Sequence, residues 1–141
     1  MNKNDILKKL KELELDKDKY IIISGASLVV QGIIEETKDI DLTCSKSFYD
    51  LIDWDIKKGA FDLEVKYKDV FEIGDNLYEE DDYVIIDGFK FMPLESCLKL
   101  KRKLNRSKDK KIITKLDLIL GSNDNYRYER ELNERGINLI A

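Results

Sequence analysis

The chain has 141 residues, 43% hydrophobic and 38% charged, with a formal net charge of −4 and no histidine, which suits one domain with a sizeable core. No apolar run approaches the roughly 18–20 residues of a membrane span, and the basic start "MNKNDILKKLKELEL" lacks the apolar segment of a signal peptide, so a cytoplasmic protein with no membrane partner is expected. Without histidine there are no His-based triads, His general bases or most zinc sites, but chemistry run by carboxylates and a hard metal ion stays open.

In chain order, Ile6, Leu7, Leu10 and Leu13 recur at helical spacing and predict an amphipathic first helix. "YIII" (20–23) is β-branched, uninterrupted and bounded by Gly25, the pattern of a buried strand. "ASLVVQGI" predicts a short helix opened at that glycine, and "DIDLTC" (39–44) a second strand. Segment 47–58 reads as a helix with Ser47 as its cap and Phe48, Leu51, Ile52 and Ile56 on one face. "FDLEVKY" (61–67) alternates strictly, and "DVFEI" (69–73) either continues it or pairs with it. "YVIIDGFKF" (83–91) predicts a hairpin about Asp87-Gly88. Pro93, the only proline, marks the start of a helix over 94–104 that ends near Asn105. A further helix covers 107–120, with Ser107 as a candidate cap and Gly121 as its stop. A last, polar helix is predicted over 123–136. Cys44 and Cys97 form no CxxC pattern and read as small apolar core residues. The order predicts an α+β fold, a mixed sheet flanked by helices with further helices at the C-terminal end. It is read as one domain over 1–141, with its core about 20–120.

Two features carry chemistry. Asp39 and Asp41 lie two apart on a predicted strand, so both carboxylates share one face. Two such groups repel, and each is costly to desolvate, so a divalent cation that prefers carboxylate oxygens, waters and phosphates would offset them. Ahead of them, Gly25 permits a tight turn, and the small residues Ala26 and Ser27 leave room for an anion at a helix start. Ser27 adds a hydroxyl. A solvated edge strand and a plain strand-to-helix turn are the bland alternatives. Taken together, the two features describe a site for a nucleoside triphosphate held through Mg²⁺.

"SGAS" (24–27) followed by "DIDL" (39–42) resembles the signature of the nucleotidyltransferase superfamily. "PLESCLKLKRKLNRSKDKKI" (93–112) is similar to the L-E-x-L-x-x-x-K-x-x-x-x-R-x-K-D stretch of small bacterial members akin to AbiEii-type toxins, with Leu94, Glu95, Lys101, Arg106, Lys108 and Asp109 on motif positions. The resemblance implies Mg²⁺- or Mn²⁺-dependent transfer of a nucleoside monophosphate from an NTP to an acceptor by two-metal catalysis. It implies that Asp39 and Asp41 hold metal, that Gly25, Ala26 and Ser27 bind the triphosphate, and that a third carboxylate from a later strand completes the set. Asp62 and Glu64, on one face of "FDLEVKY", are favoured for that place, Glu64 as the metal ligand. Asp69 and Glu72 lie nearby, and Tyr78 takes the position if the partner strand is 75–80.

The basic run 99–111 has two readings. Lys101 falls near the apolar face of its helix, and with Arg106 it would reach phosphates, while Lys99, Arg102 and Lys103 face water. A local footing for an RNA acceptor is the functional version of this run. Ile112 stands where the family has a later acid. A catalytically silent nucleotide-binding module, or one that pairs with a protein partner in the toxin–antitoxin manner, is therefore the alternative.

Overall fold

Alternation along two strands decides the architecture. In the computed structural model, which describes residues 1–52, 56–58, 65–67 and 70–121, β1 (Tyr20–Ile23) and β2 (Ile40–Cys44) pair antiparallel at the centre of a mixed sheet. Around them lie β3 (Ile56–Lys58), β4 (Val65–Tyr67), β5 (Phe71–Gly74), β6 (Val84–Ile86) and β7 (Phe89–Phe91). Among the described residues the strand order is β3-β4-β5-β2-β1-β7-β6. The β1–β7 and β2–β5 pairs are parallel and the others antiparallel. The α+β expectation holds.

One sheet face carries Tyr20, Ile22, Ile40, Leu42, Cys44, Phe71, Ile73, Phe89 and Phe91, all buried in one cluster. Helix α1 (Lys3–Glu12) contributes Ile6, Leu10 and its cap residue Leu13 to that cluster. Helix α2 (Ser24–Val30) contributes Ala26, Val29 and Val30. Each fully buried Leu, Ile or Phe stabilises by roughly 1.5–3 kcal/mol, so this layer is the main source of stability for the strands. The cap of α1 is a reciprocal pair, with Asn2 Oδ1 accepting from Asp5 N at 2.9 Å and Asp5 Oδ2 from Asn2 N at 3.0 Å. Helix α2 ends in a Schellman motif: Gly32, at φ +81°, donates to Val29 O, and Ile33 donates to Leu28 O.

The predicted hairpin is present. Asp87 and Gly88 have φ values of +53° and +82°, as a two-residue type I′ turn requires. "DVFEI" supplies β5, an antiparallel partner of β4 and not its continuation. The helix expected over 47–58 is shorter and starts earlier. α3 (Lys46–Leu51) is capped by Ser45, whose Oγ accepts from Phe48 N at 3.2 Å, and residues 56–58 form β3. Helix α4 (Leu94–Leu104) follows Pro93, and Asn105 at φ +48° ends it. The helix expected over 107–120 is divided into a 3₁₀ turn (Ser107–Asp109), α5 (Lys110–Leu116) and a π-type turn (Asp117–Gly121). Ser107 caps neither helical start; Arg106 and Asp109 occupy the cap positions, without side-chain capping bonds. The predicted helix 123–136 lies outside the described residues.

The chain comprises two compact units, Met1–Cys97 and Leu98–Ala141. In the second unit Lys101 and Asp109, only 7% and 3% exposed, form an ion pair at 3.3 Å. Arg106 Nε adds a bond to the other Asp109 oxygen at 2.6 Å. Burial works against the Asp109 charge, but the Arg106 hydrogen bond and the Lys101 ammonium outweigh it and hold the carboxyl below its ordinary range.

Candidate functional site

The register of the central strands brings the two motifs to one end of the sheet. Ile23, the last residue of β1, is the Cα partner of Asp41. The turn at Ser24-Gly25 therefore lies beside Asp41, with Asp39 just ahead of β2. Asp39 and Asp41 are both half-buried, and the Oδ1 atom of Asp41 is closed to solvent. On its other side Asp41 is the parallel-strand partner of half-buried Glu72. The ladder continues from Glu72 to position 66 of β4 and then to position 57 of β3, both lysines. Asp41 and Glu72 thus share the sheet face opposite the apolar cluster, together with buried Ile21, Ile23 and Thr43. The Thr43 hydroxyl is buried and has no hydrogen-bond partner among the described residues.

Glu72 is the acid that strand pairing brings to Asp41. Asp62 and Glu64, favoured from alternation, lie outside the described residues, as does Asp69. Glu72 has its own local signal. In "FEIG" (71–74) it is the acid between two buried apolar residues, the same pattern as Asp41 between Ile40 and Leu42. Alternation marks both residues; only the parallel β2–β5 pairing makes them neighbours.

The turn is built for packing. Ser24 takes φ +55°, a left-handed conformation uncommon outside glycine. Gly25 is needed because a Cβ there would stand 2.7 Å from Thr37 Oγ1. Thr37 is held in place by two backbone bonds with Met1, at 2.7 and 3.0 Å. The side of Gly25 on which a Cβ would stand thus faces the threonine two residues before Asp39. Ala26 is fully buried in the apolar cluster. Ser27 is fully buried as well, and its hydroxyl donates to Met92 O at 2.7 Å. Gln31 Nε2 donates to both of those oxygens, at 2.8 and 2.9 Å. The Ser27 hydroxyl, expected at a triphosphate, makes a bond that ties α2 to the chain after β7.

Lys101 and Arg106, also expected at phosphates, belong to the second unit, where both bind Asp109. Their spacing in the motif is accounted for by this ion cluster. Lys99, Arg102 and Lys103 are exposed, as read from the sequence. Both cysteines are free and buried. Burial, with a smaller effect from Asp75, pushes the Cys44 thiol up to about 12.

As to a metal, no three His, Cys, Asp or Glu side chains gather closely enough to hold one among the described residues. Asp41 and Glu72 nevertheless fit a Mg²⁺ anchor. Adjacent strands lie about 4.8 Å apart, and Mg²⁺ commonly takes one or two carboxylates and completes its shell with water and phosphate. No protein-family model, no curated protein and no solved structure matches this chain.

Proposed function

We propose that the chain is a cytoplasmic, Mg²⁺-dependent nucleotidyltransferase that moves a nucleoside monophosphate from an NTP to an acceptor hydroxyl. The observation that supports this reading is the convergence of the Ser24-Gly25 turn, Asp39, Asp41 and Glu72 at one end of the sheet. In this reading Asp41 and Glu72 hold the metal through their carboxylate oxygens. Asp39, at the solvent side of β2, accepts the proton of the attacking hydroxyl. Ile23 and Thr43 wall the site on the same face and limit water. Mg²⁺ or Mn²⁺, when bound, supplies neutralisation of the triphosphate and of the charge that grows on pyrophosphate.

The test is incubation with each α-labelled NTP and cell RNA, comparing the native chain with Asp41→Asn and Glu72→Gln. Label transfer should fall at least 100-fold in both variants, and the metal-dependent rise in melting temperature with NTP should disappear. A saturated tight site adds roughly 2–4 kcal/mol, a shift of several degrees. If neither substitution changes binding or transfer, the reading fails.

A second reading has its own observation. Thr37 faces the Cβ position of Gly25, and Ser27 donates to Met92, so packing alone accounts for the small residues there. This favours a catalytically silent module that binds nucleotide or a protein partner. A melting shift with NTP but no label transfer, in any acceptor mixture, would select it.

A further inference from the structure

At the opposite edge of the sheet from β3, strand β6 has one strand neighbour among the described residues, β7. Because the two-residue turn closes on the Ile86–Phe89 pair, Ile86 and Val84 direct their backbone groups toward β7. Ile85 directs its N–H and C=O away from β7, along an edge with no further strand among the described residues. Edges of this kind are usually blunted by proline, a charged side chain or a bulge. Val84-Ile85-Ile86 has none of these, and Ile85 is 63% exposed.

Beside this edge, residues of α1 with Ile86 and Asp87 line a groove of about 540 Å³. Leu7 and Ile86 form its apolar floor; Lys3, Lys8 and Lys11 line it, with Asp87 at one end. Lys11 is engaged by Asp87 at 3.0 Å. Lys3 and Lys8 are exposed and line the groove from successive turns of α1. A strand added to β6 would place alternate side chains over this groove and the others beside Ile85. The two faces offered to it differ in chemistry, cationic with an apolar floor on one side and apolar on the other.

We infer that the β6 edge and the α1 lysines that line the groove form a docking site for an extended protein segment that alternates acidic and apolar residues and adds to the sheet as an eighth strand. Main-chain bonds to Ile85 supply affinity, and the lysines select acids over bases at the alternate positions. A second copy of β6 is a poor occupant, since pairing about Ile85 would lay Val84 and Ile86 over the groove and leave Lys3 and Lys8 without acidic partners from it.

The probe is a fluorescein-labelled eight-residue peptide of alternating glutamate and valine, with a lysine–valine peptide of the same length as control. Anisotropy should show saturable binding of the first, at least tenfold tighter than the second and weaker at high salt. Lys3→Glu with Lys8→Glu should weaken it about tenfold. Ile85→Pro, at a position whose N–H faces away from β7, should abolish it, and Ile85→Lys is the second variant if that one fails to fold. Amide shifts should concentrate at 84–87 and on α1. Absence of saturable binding, equal binding of the two peptides, or indifference to all the variants would overturn the inference. So would selective binding of an RNA oligonucleotide or of anionic vesicles at these residues in place of the peptide.

Discussion

Replacing Asp109 by asparagine removes the one charge that two cations of the second unit share. Lys101 Nζ stands 3.3 Å from Asp109 Oδ1, and both side chains are more than nine-tenths buried. At an effective dielectric of about 20, attraction across that distance is about 5 kcal/mol. Desolvation of the two groups offsets much of it, so the pair adds less to stability than this attraction. The substitution is a different matter, because it leaves the ammonium buried and facing a neutral amide. Losing one partner of a buried pair costs about 3–5 kcal/mol, a large share of the 5–15 kcal/mol typical of a whole domain. Lys101→Met should cost less, about 1–2 kcal/mol, because Arg106 still serves the carboxylate. Arg106→Ala should cost about 1 kcal/mol, since its side chain is 38% exposed and its charge is screened by water. Adding Lys101→Met to Asp109→Asn should recover part of the loss, as it removes the buried ammonium that faced Asp109.

Urea unfolding by circular dichroism gives the free energies, and hydrogen exchange over residues 98–121 places the loss in the second unit. The pH dependence has a fixed sign. The Asp109 carboxyl lies below its ordinary range when folded, so the unfolded chain takes up the proton first. Its stabilisation is complete above about pH 4 and fades as pH falls further. Asp109→Asn should flatten that acid limb. A cost below 1 kcal/mol, or a double variant as unstable as the sum of the singles, would refute the reasoning.

Two further outcomes follow from the first unit. Gly25→Ala forces a Cβ to within 2.7 Å of Thr37 Oγ1 and should destabilise by about 1–3 kcal/mol; in a Thr37→Ala background most of that penalty should vanish in a melting comparison. Cys44, buried and with its thiol pushed up to about 12, should fail to react with a thiol reagent at pH 8 in the folded chain and react at once in urea; fast labelling of the native protein would contradict the burial.

Local signals were legible wherever the physics is local. The Asp87-Gly88 hairpin, the stop at Asn105, the amphipathic face of α1 and the buried run of β1 all follow from backbone preference or from periodicity within a few residues. Ser45 and Ser47 were harder to separate, since either hydroxyl suits a cap. The choice rests on where the first helical bond forms, and Tyr49 N donates to Ser45 O at 2.9 Å. Residues 56–58 were read as helix because three residues carry too little alternation to mark a strand; β3 exists through its pairing with β4. Glu72 was visible as an acid in an alternating strand but not as a neighbour of Asp41. That relation needs the parallel β2–β5 register, which local sequence does not encode. Ser27 shows the same limit, because its partner Met92 is distant in the chain.

The consequence bears on how the two motifs should be read together. Had "SGAS" been only a ligand cradle, the small residues would face open space and the spacing to "DIDL" would be incidental. Instead Gly25 admits Thr37, Ser27 fastens α2 to Met92, and the Ile23–Asp41 register fixes where the turn meets the second strand. Small residues at 25–27 are thus required by packing whatever is bound, and they cannot by themselves distinguish an enzyme from a silent relative of one. The acids can. No apolar packing requires Asp41 and Glu72 side by side on a half-buried face, where like charges on paired strands destabilise. The weight of the functional reading therefore rests on that pair, and Glu72→Gln is the sharper test. If the pair is merely tolerated, neutralising Glu72 should relieve repulsion and stabilise the fold without touching nucleotide binding. If it anchors a cation, the same change should abolish the Mg²⁺-dependent gain in stability with NTP while leaving the metal-free chain as stable as before or more so.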